Sequence, residues 1–130
     1  MIFGIGTDVV NIARVESIYA RYGERFVQRL LMPEEASVFR RDRRPVRFLA
    51  MRFAAKEAIV KALGTGFSHG VWIRDAGFMA NAWGRPEVIW SERGLRVCEQ
   101  LGAGEGHLTL TDESGLVVAV AVLMRREYRA

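Results

Sequence analysis

Glu57 stands where a charge is costly. In Val46–Leu63 the residues Val46, Leu49, Ala50, Phe53, Val60 and Leu63 recur at helical spacing, and at about 100° per residue they form one apolar stripe. Glu57 projects about 40° from Phe53, inside that stripe. A buried carboxylate is strongly unfavourable unless it is paired or bound to a cation. Lys61 follows one turn later on the same side. Two chemistries fit: an i,i+4 ion pair at the stripe edge, a weak interaction, or a metal ligand with a lysine beside it. Asp8 repeats the pattern, because it follows an apolar run directly and precedes Val9 and Val10. It reads either as a turn or cap residue or as a second ligand. Two carboxylates at the ends of core elements are what Mg²⁺ requires, with waters and substrate phosphates completing its octahedron.

Other residues bear on the same chemistry. Lys56 and Lys61 are the only lysines; the other 17 basic residues are arginines. Lysine is a flexible point charge and arginine a planar fork, so lysine kept at two positions five apart suggests a need for it there. The loop Gly64-Thr65-Gly66 can bring backbone N–H groups near a phosphate. It follows a helix C-terminus, where the dipole disfavours anions, so such binding would need Lys61, a metal or arginines. In His107–Thr111 the strand period sets His107, Thr109 and Thr111 on one face and Leu108 and Leu110 on the other. Arg14, Arg21 and, past Gly23, Arg25 project within about 40° of one another on a helical wheel. They read as a solvated face or as a ridge for an acidic partner.

The elements that must position these groups follow from periodicity and punctuation. Ile2–Val9 reads as a strand containing Gly4 and Gly6. Asn11 can cap a helix over Ile12–Tyr22, whose Ile12, Val15, Ile18, Tyr19 and Tyr22 mark a core face. Gly23 ends it. Pro33 suits the first turn of a short helix reaching Arg41. Val46–Leu63 is the strongest helix, with Gly64 as its C-cap. Strands are expected at Val71–Ile73, Gly77–Asn81 and Glu87–Trp90, with Gly84-Arg85-Pro86 as a turn. A helix at Glu92–Leu101 precedes strands at His107–Thr111 and Leu116–Met124, joined through Glu113-Ser114-Gly115. The tail from Arg125 is expected to fray. The fold class is α+β: one domain over residues 1–130, with a largely antiparallel sheet packed against a long central helix.

Composition sets outer bounds. Half of the 130 residues are apolar and the net charge is +4, which suits one globular domain. Cys98, the single cysteine, reads as a buried inert thiol and suits a reducing compartment, hence the cytoplasm. Met1–Val10 lacks a basic n-region, which argues against a signal peptide. Leu116–Met124 is far shorter than the ~20 residues of a membrane span.

The motifs taken together resemble those of holo-acyl-carrier-protein synthases in the 4′-phosphopantetheinyl transferase family. Gly4–Asp8 with Asn11–Glu16 resembles the opening motif; Arg52–Ala58 with Lys61–Gly66 resembles the central one. Gly84-Arg85-Pro86 matches a turn and His107–Asp112 the C-terminal strand motif. Asp112, where some members carry histidine, receives no role. The resemblance implies that phosphopantetheine moves from coenzyme A to a serine of an acidic acyl carrier protein. It implies that Asp8 and Glu57 hold Mg²⁺ and that Lys61 stabilises the departing 3′,5′-ADP. The serine proton goes to Glu57 or to a water beside it on the metal. Arg52, Lys56, Gly64, Thr65, Gly66, Arg85 and His107 are the implied coenzyme contacts. Homotrimers with sites between subunits are implied as well, and Arg14, Arg21 and Arg25 are expected to dock the carrier without a part in the chemistry. The competing classes are an arginine-rich RNA-binding module and a metal-dependent nuclease or phosphatase. RNA binders of this size add exposed aromatics for stacking, and RNA binding leaves Glu57 unexplained. Neither a nucleic acid nor a membrane is expected as partner.

Overall fold

The first strand turns into the first helix with no linker. In the computed structural model, which describes residues 1–127, β1 (Ile2–Asn11) ends where α1 (Ile12–Tyr22) begins. The Asn11 side chain makes the junction by accepting the Ala13 N–H at 2.9 Å. Gly23, at φ +55°, receives the chain and redirects it into α2 (Glu24–Leu30), a helix the sequence reading left out. α3 (Pro33–Phe39) and the 19-residue α4 (Pro45–Leu63) each begin with proline. α5 (Glu92–Leu101) is capped by Ser91, whose hydroxyl accepts the Gly94 N–H.

The strands form two antiparallel sheets rather than one. β1, β4 (Ala103–Glu113) and β5 (Leu116–Arg125) pair in the order β1-β5-β4, and β2 (Ala76–Ala80) pairs with β3 (Pro86–Trp90). Ser114 and Gly115, both at positive φ, close the β4–β5 hairpin, the dihedral pattern of a type I′ turn. The expected strand at Val71–Ile73 is instead a loop entering a 3-10 turn, Ile73–Asp75. Its driver is Asp75, whose carboxylate accepts the Trp72 N–H, the Ser91 hydroxyl and the Arg93 guanidinium. Arg125 belongs to β5, and Arg126 donates its N–H to Gly102 O, so the chain is ordered beyond the point where fraying was expected. The rest of that tail, residues 128–130, lies outside the described residues.

α4 packs on the inner face of the three-stranded sheet, and small residues allow a close approach. Ala58 and Ala62 of the helix face Gly4 and Gly6 of β1. A Cβ on Gly6 would stand 2.0 Å from Ala58 O, and one on Gly4 would stand 1.9 Å from Ala62 O. Only glycine lets backbone meet backbone there. Ala119 and Ala121, opposite Asp8 and Gly6 on β5, are fully buried beneath the same helix. No helix among the described residues is long and apolar enough to cross a membrane.

Candidate active site

The glycine contact fixes where Asp8 goes. It lies two residues beyond Gly6 on the same face of β1, and so beside the last turns of α4. Lys61 Nζ donates to Asp8 Oδ1 at 3.2 Å and to Thr7 O at 3.0 Å. Asp8 and Glu57 line one hollow of about 400 Å³ with Val9, Asn11, Arg14, Ile18, Phe26 and Phe53. α4 is buried nearly all round through Leu49, Ala50, Ala54, Ala55, Ala58, Ile59 and Val60. Val46, Phe53 and Glu57 are only half-buried and Lys61 is exposed. Leu49, Ala50, Val60 and Leu63 of the stripe are buried, and Val46, Phe53 and Glu57 form its open edge. Burial first, and then the Asp8 charge, raise the Glu57 carboxyl above the ordinary glutamate value of 4.5, with Lys61 opposing them.

Among the described residues no three His, Cys, Asp or Glu side chains gather as a metal cluster. Asp8 and Glu57 make a pair instead. The two carboxylates face each other across an open hollow that Arg14 also lines, with Lys61 bonded to Asp8. That donor set suits a hard cation completed by waters and phosphate oxygens.

Several expected contacts fall elsewhere. Lys56 and Arg52 point inward. Lys56 Nζ donates to Glu35 Oε1 at 2.5 Å and Ala76 O at 2.6 Å, and is wholly buried. Arg52 donates to Phe78 O at 2.8 Å and Glu35 Oε2 at 3.3 Å, with Phe48 and Phe78 rings packed on its guanidinium. Neither side chain lines the hollow of Asp8 and Glu57. In the loop Gly64, Thr65 and Gly66, all three N–H groups donate to Val60 O, at 3.1, 3.2 and 3.2 Å. They close the C-terminus of α4. Arg85 and His107 do come together, lining a second hollow of about 380 Å³ with Asn81, Pro86, Trp90 and Glu105.

The arginine ridge divides too. Arg14 shares the hollow of the two carboxylates, so it is not remote from the chemistry. Arg25 sits on α2, off the α1 ridge, and lines an apolar groove with Ile18, Tyr22, Phe26 and Arg29. Tyr22, expected in the core, is 49% exposed. Arg21 lies over its ring, 5.3 Å from the centroid. Asp112 acquires a structural part by accepting both arms of the Arg47 fork at 2.9 Å. Cys98 is buried as expected, and burial pushes its thiol up to about 11. Sequence reasoning missed Glu35. Its place at the third position of α3, where it accepts the Met32 N–H, reads locally as a cap. Its partners lie 17 and 21 residues away.

Comparison with known proteins gives this geometry its relatives. The model of the 4′-phosphopantetheinyl transferase superfamily matches residues 4–121. A holo-[acyl-carrier-protein] synthase of Halorhodospira halophila is 45% identical over 124 residues, 95% of this chain and 98% of that protein. One from Escherichia coli is 42% identical over 123 residues, covering 94% and 97%. The crystal structure of the synthase from Neisseria meningitidis, 38% identical, superposes with a TM-score of 0.92 over 96% of this chain and all of that one. The Helicobacter pylori synthase in complex with coenzyme A, 28% identical, superposes at 0.79 over 92% and 98%.

Proposed function

The chain belongs to the 4′-phosphopantetheinyl transferase superfamily, and from that membership we propose how its residues divide the work. It transfers 4′-phosphopantetheine from coenzyme A to a serine of acyl carrier protein and releases 3′,5′-ADP. The RNA-binding and nuclease readings have no support among its relatives.

The observation that carries the mechanism is the open pair of Asp8 and Glu57 with Lys61 against it. Asp8 and Glu57 hold Mg²⁺. When bound, the ion supplies charge neutralisation for the pyrophosphate and the departing nucleotide. Glu57, or a water beside it on the metal, is also placed to take the serine proton. The serine oxygen bonds to the phosphorus that carries pantetheine. The bond from that phosphorus to the bridging oxygen breaks, and 3′,5′-ADP leaves with the oxygen. Lys61, exposed and held at the edge of the hollow, stabilises that leaving charge. Arg85 and His107 hold the nucleotide end of the coenzyme.

The two hollows share no lining residue, and Asp8 and His107 stand on opposite faces of one sheet. Ile5 and Val9 on the outer face of β1 are each 60% exposed. Val118, Val120, Val122 and Met124 continue that face along β5, only partly covered. An apolar face of this kind marks an interface. A homotrimer covers it and joins the carboxylate hollow of one copy to the Arg85–His107 hollow of the next. The carrier docks along α1 and α2, where Ile18, Tyr22 and Phe26 lie between Arg14, Arg25 and Arg29. An acidic amphipathic helix fits such a groove. A single cysteine, which can form no disulfide within the chain, suits a cytoplasmic enzyme.

The test is transfer from coenzyme A to apo-carrier with and without Mg²⁺, alongside sedimentation of the free protein. Turnover that needs Mg²⁺, from a particle three times the chain mass, is expected. Full turnover after exhaustive chelation would remove the metal from the mechanism, and an active monomer would remove the shared site.

A further inference from the structure

Trp83 is 94% exposed, although tryptophan is among the residues that gain most from burial. The turn that carries it is rigid. The Asn81 side-chain oxygen accepts the N–H of Trp83 at 2.9 Å and that of Arg85 at 3.0 Å. Asn81 N–H donates to Arg85 O, and Gly84 N–H to Asn81 O, both at 2.9 Å. Gly84 permits this closure at φ +81°. A built turn therefore fixes the backbone that carries the exposed ring, and the same oxygen that fixes the backbone of Trp83 fixes that of Arg85.

Asn81 and Arg85 form one wall of the second hollow, with His107 and Glu105 on β4 across from them. Glu87 also faces it, and Glu105 Oε1 stands 3.9 Å from His107 Nε2. One turn thus presents a flat aromatic face and an arginine two residues apart. A nucleotide has the matching pair, a base with a π-face and an anionic phosphate.

We propose that Trp83 stacks on the adenine of coenzyme A and is a specificity-determining residue for the nucleotide end of the substrate. The inference rests on the reading above that this hollow takes that end. An exposed ring on a rigid turn loses little conformational freedom when a base settles on it, so the stack adds affinity directly.

Calorimetric titration with 3′,5′-ADP tests this on wild type, Trp83→Ala, Trp83→Phe and Arg85→Ala. The expected result is a loss of about tenfold in affinity for Trp83→Ala, as base–aromatic stacking supplies, and recovery of most of it in Trp83→Phe. The KM for coenzyme A should rise with the loss while the KM for carrier stays unchanged. Binding of 4′-phosphopantetheine, which has no base, should not move. Wild-type affinity in Trp83→Ala with weakened binding in Arg85→Ala overturns the stacking and leaves the nucleotide hollow standing. Wild-type affinity in both variants overturns the hollow itself. A raised carrier KM or an altered sedimentation rate in Trp83→Ala, with 3′,5′-ADP binding intact, means that the ring meets protein and refutes the proposal.

Discussion

Lys56 and Glu57 are neighbours in sequence and belong to different worlds. The Lys56 cluster is dry. Glu35 accepts from Lys56, Arg52 and the Met32 and Phe78 N–H groups, while Ala76 O also accepts from Lys56 and Phe78 O from Arg52. Burial pulls both cations below their ordinary values, and Glu35 opposes the shift. No buried side-chain nitrogen or oxygen among the described residues lacks a partner. The Glu57 cluster is wet, open and unbalanced, with two carboxylates against a lysine bound to one of them. A single residue step, about 100° around α4, separates a pin that joins α3, α4 and β2 from a site that still has charge to offer. Charge on a helix becomes chemistry where its valence is left unfilled by the fold.

Breaking the closed cluster should have the largest effect. Glu35→Ala removes the carboxylate paired with two buried cations, and such a loss costs about 3–5 kcal/mol. Denaturant unfolding should show a midpoint far below wild type, with activity lost through the fold. A midpoint near wild type would mean that water reaches Lys56. Breaking the open cluster should do the reverse. Glu57→Gln should cut turnover by about a hundredfold or more, in the range of removed acid–base groups, with the unfolding midpoint kept or raised. The sign follows from linkage. A carboxyl whose folded value is raised contributes stability below about 4.5, its unfolded value, and loses it as pH rises through the folded value. At neutral pH the amide escapes that loss. Wild-type activity should fall at acid pH, because the protonated acid can neither ligate nor accept a proton. Near wild-type turnover in Glu57→Gln would clear it of both roles. Lys61→Arg, which keeps the charge and replaces the compact ammonium with a fork, should slow turnover about tenfold, roughly 1.4 kcal/mol in the barrier. An unchanged rate would show that any cation at the edge suffices.

Local rules read much of this molecule. The helices at 12–22 and 92–101 are bounded by side-chain caps and glycines, so sequence alone marks their ends. Asp8, Glu57 and Lys61 stood out because each broke an apolar pattern. Glu57 does lie in a stripe that is mostly buried, at its open edge. α4 is covered on almost every side, and its alanines are the buried contacts with Gly4, Gly6 and the sheet. The partner of Lys56 and Arg52 was not legible because Glu35 is remote in sequence and looks like a helix cap. In the glycine loop the amides after the helix end are claimed by the helix's own carbonyls. Which face of the three-stranded sheet is left open is written in its alternation, yet the alternation alone names no partner.

The smallest effect should come from the rim. Arg21 is exposed, beside Tyr22, and makes no ion pair among the described residues. Arg14 shares the hollow with the carboxylates, so Arg14→Glu adds a third negative charge there and should disturb metal as well as carrier. Arg21→Glu is therefore the cleaner probe of docking. Rim charges act mainly on association rate and salt dependence. A contact between exposed charges weakens as the Debye length falls from about 10 Å at 0.1 M salt to about 3 Å at 1 M. Arg21→Glu should raise the KM for carrier about threefold at low salt, consistent with a pair worth under about 1 kcal/mol, and leave the KM for coenzyme A alone. At high salt the variant and wild type should converge. A threefold loss that persists at 1 M would mean that Arg21 acts through the packing of its stem on Tyr22 and not through charge. An unchanged carrier KM at every salt would move the docking surface off this face of α1 and onto the α2 side of the groove, where Arg25 and Arg29 remain to carry it.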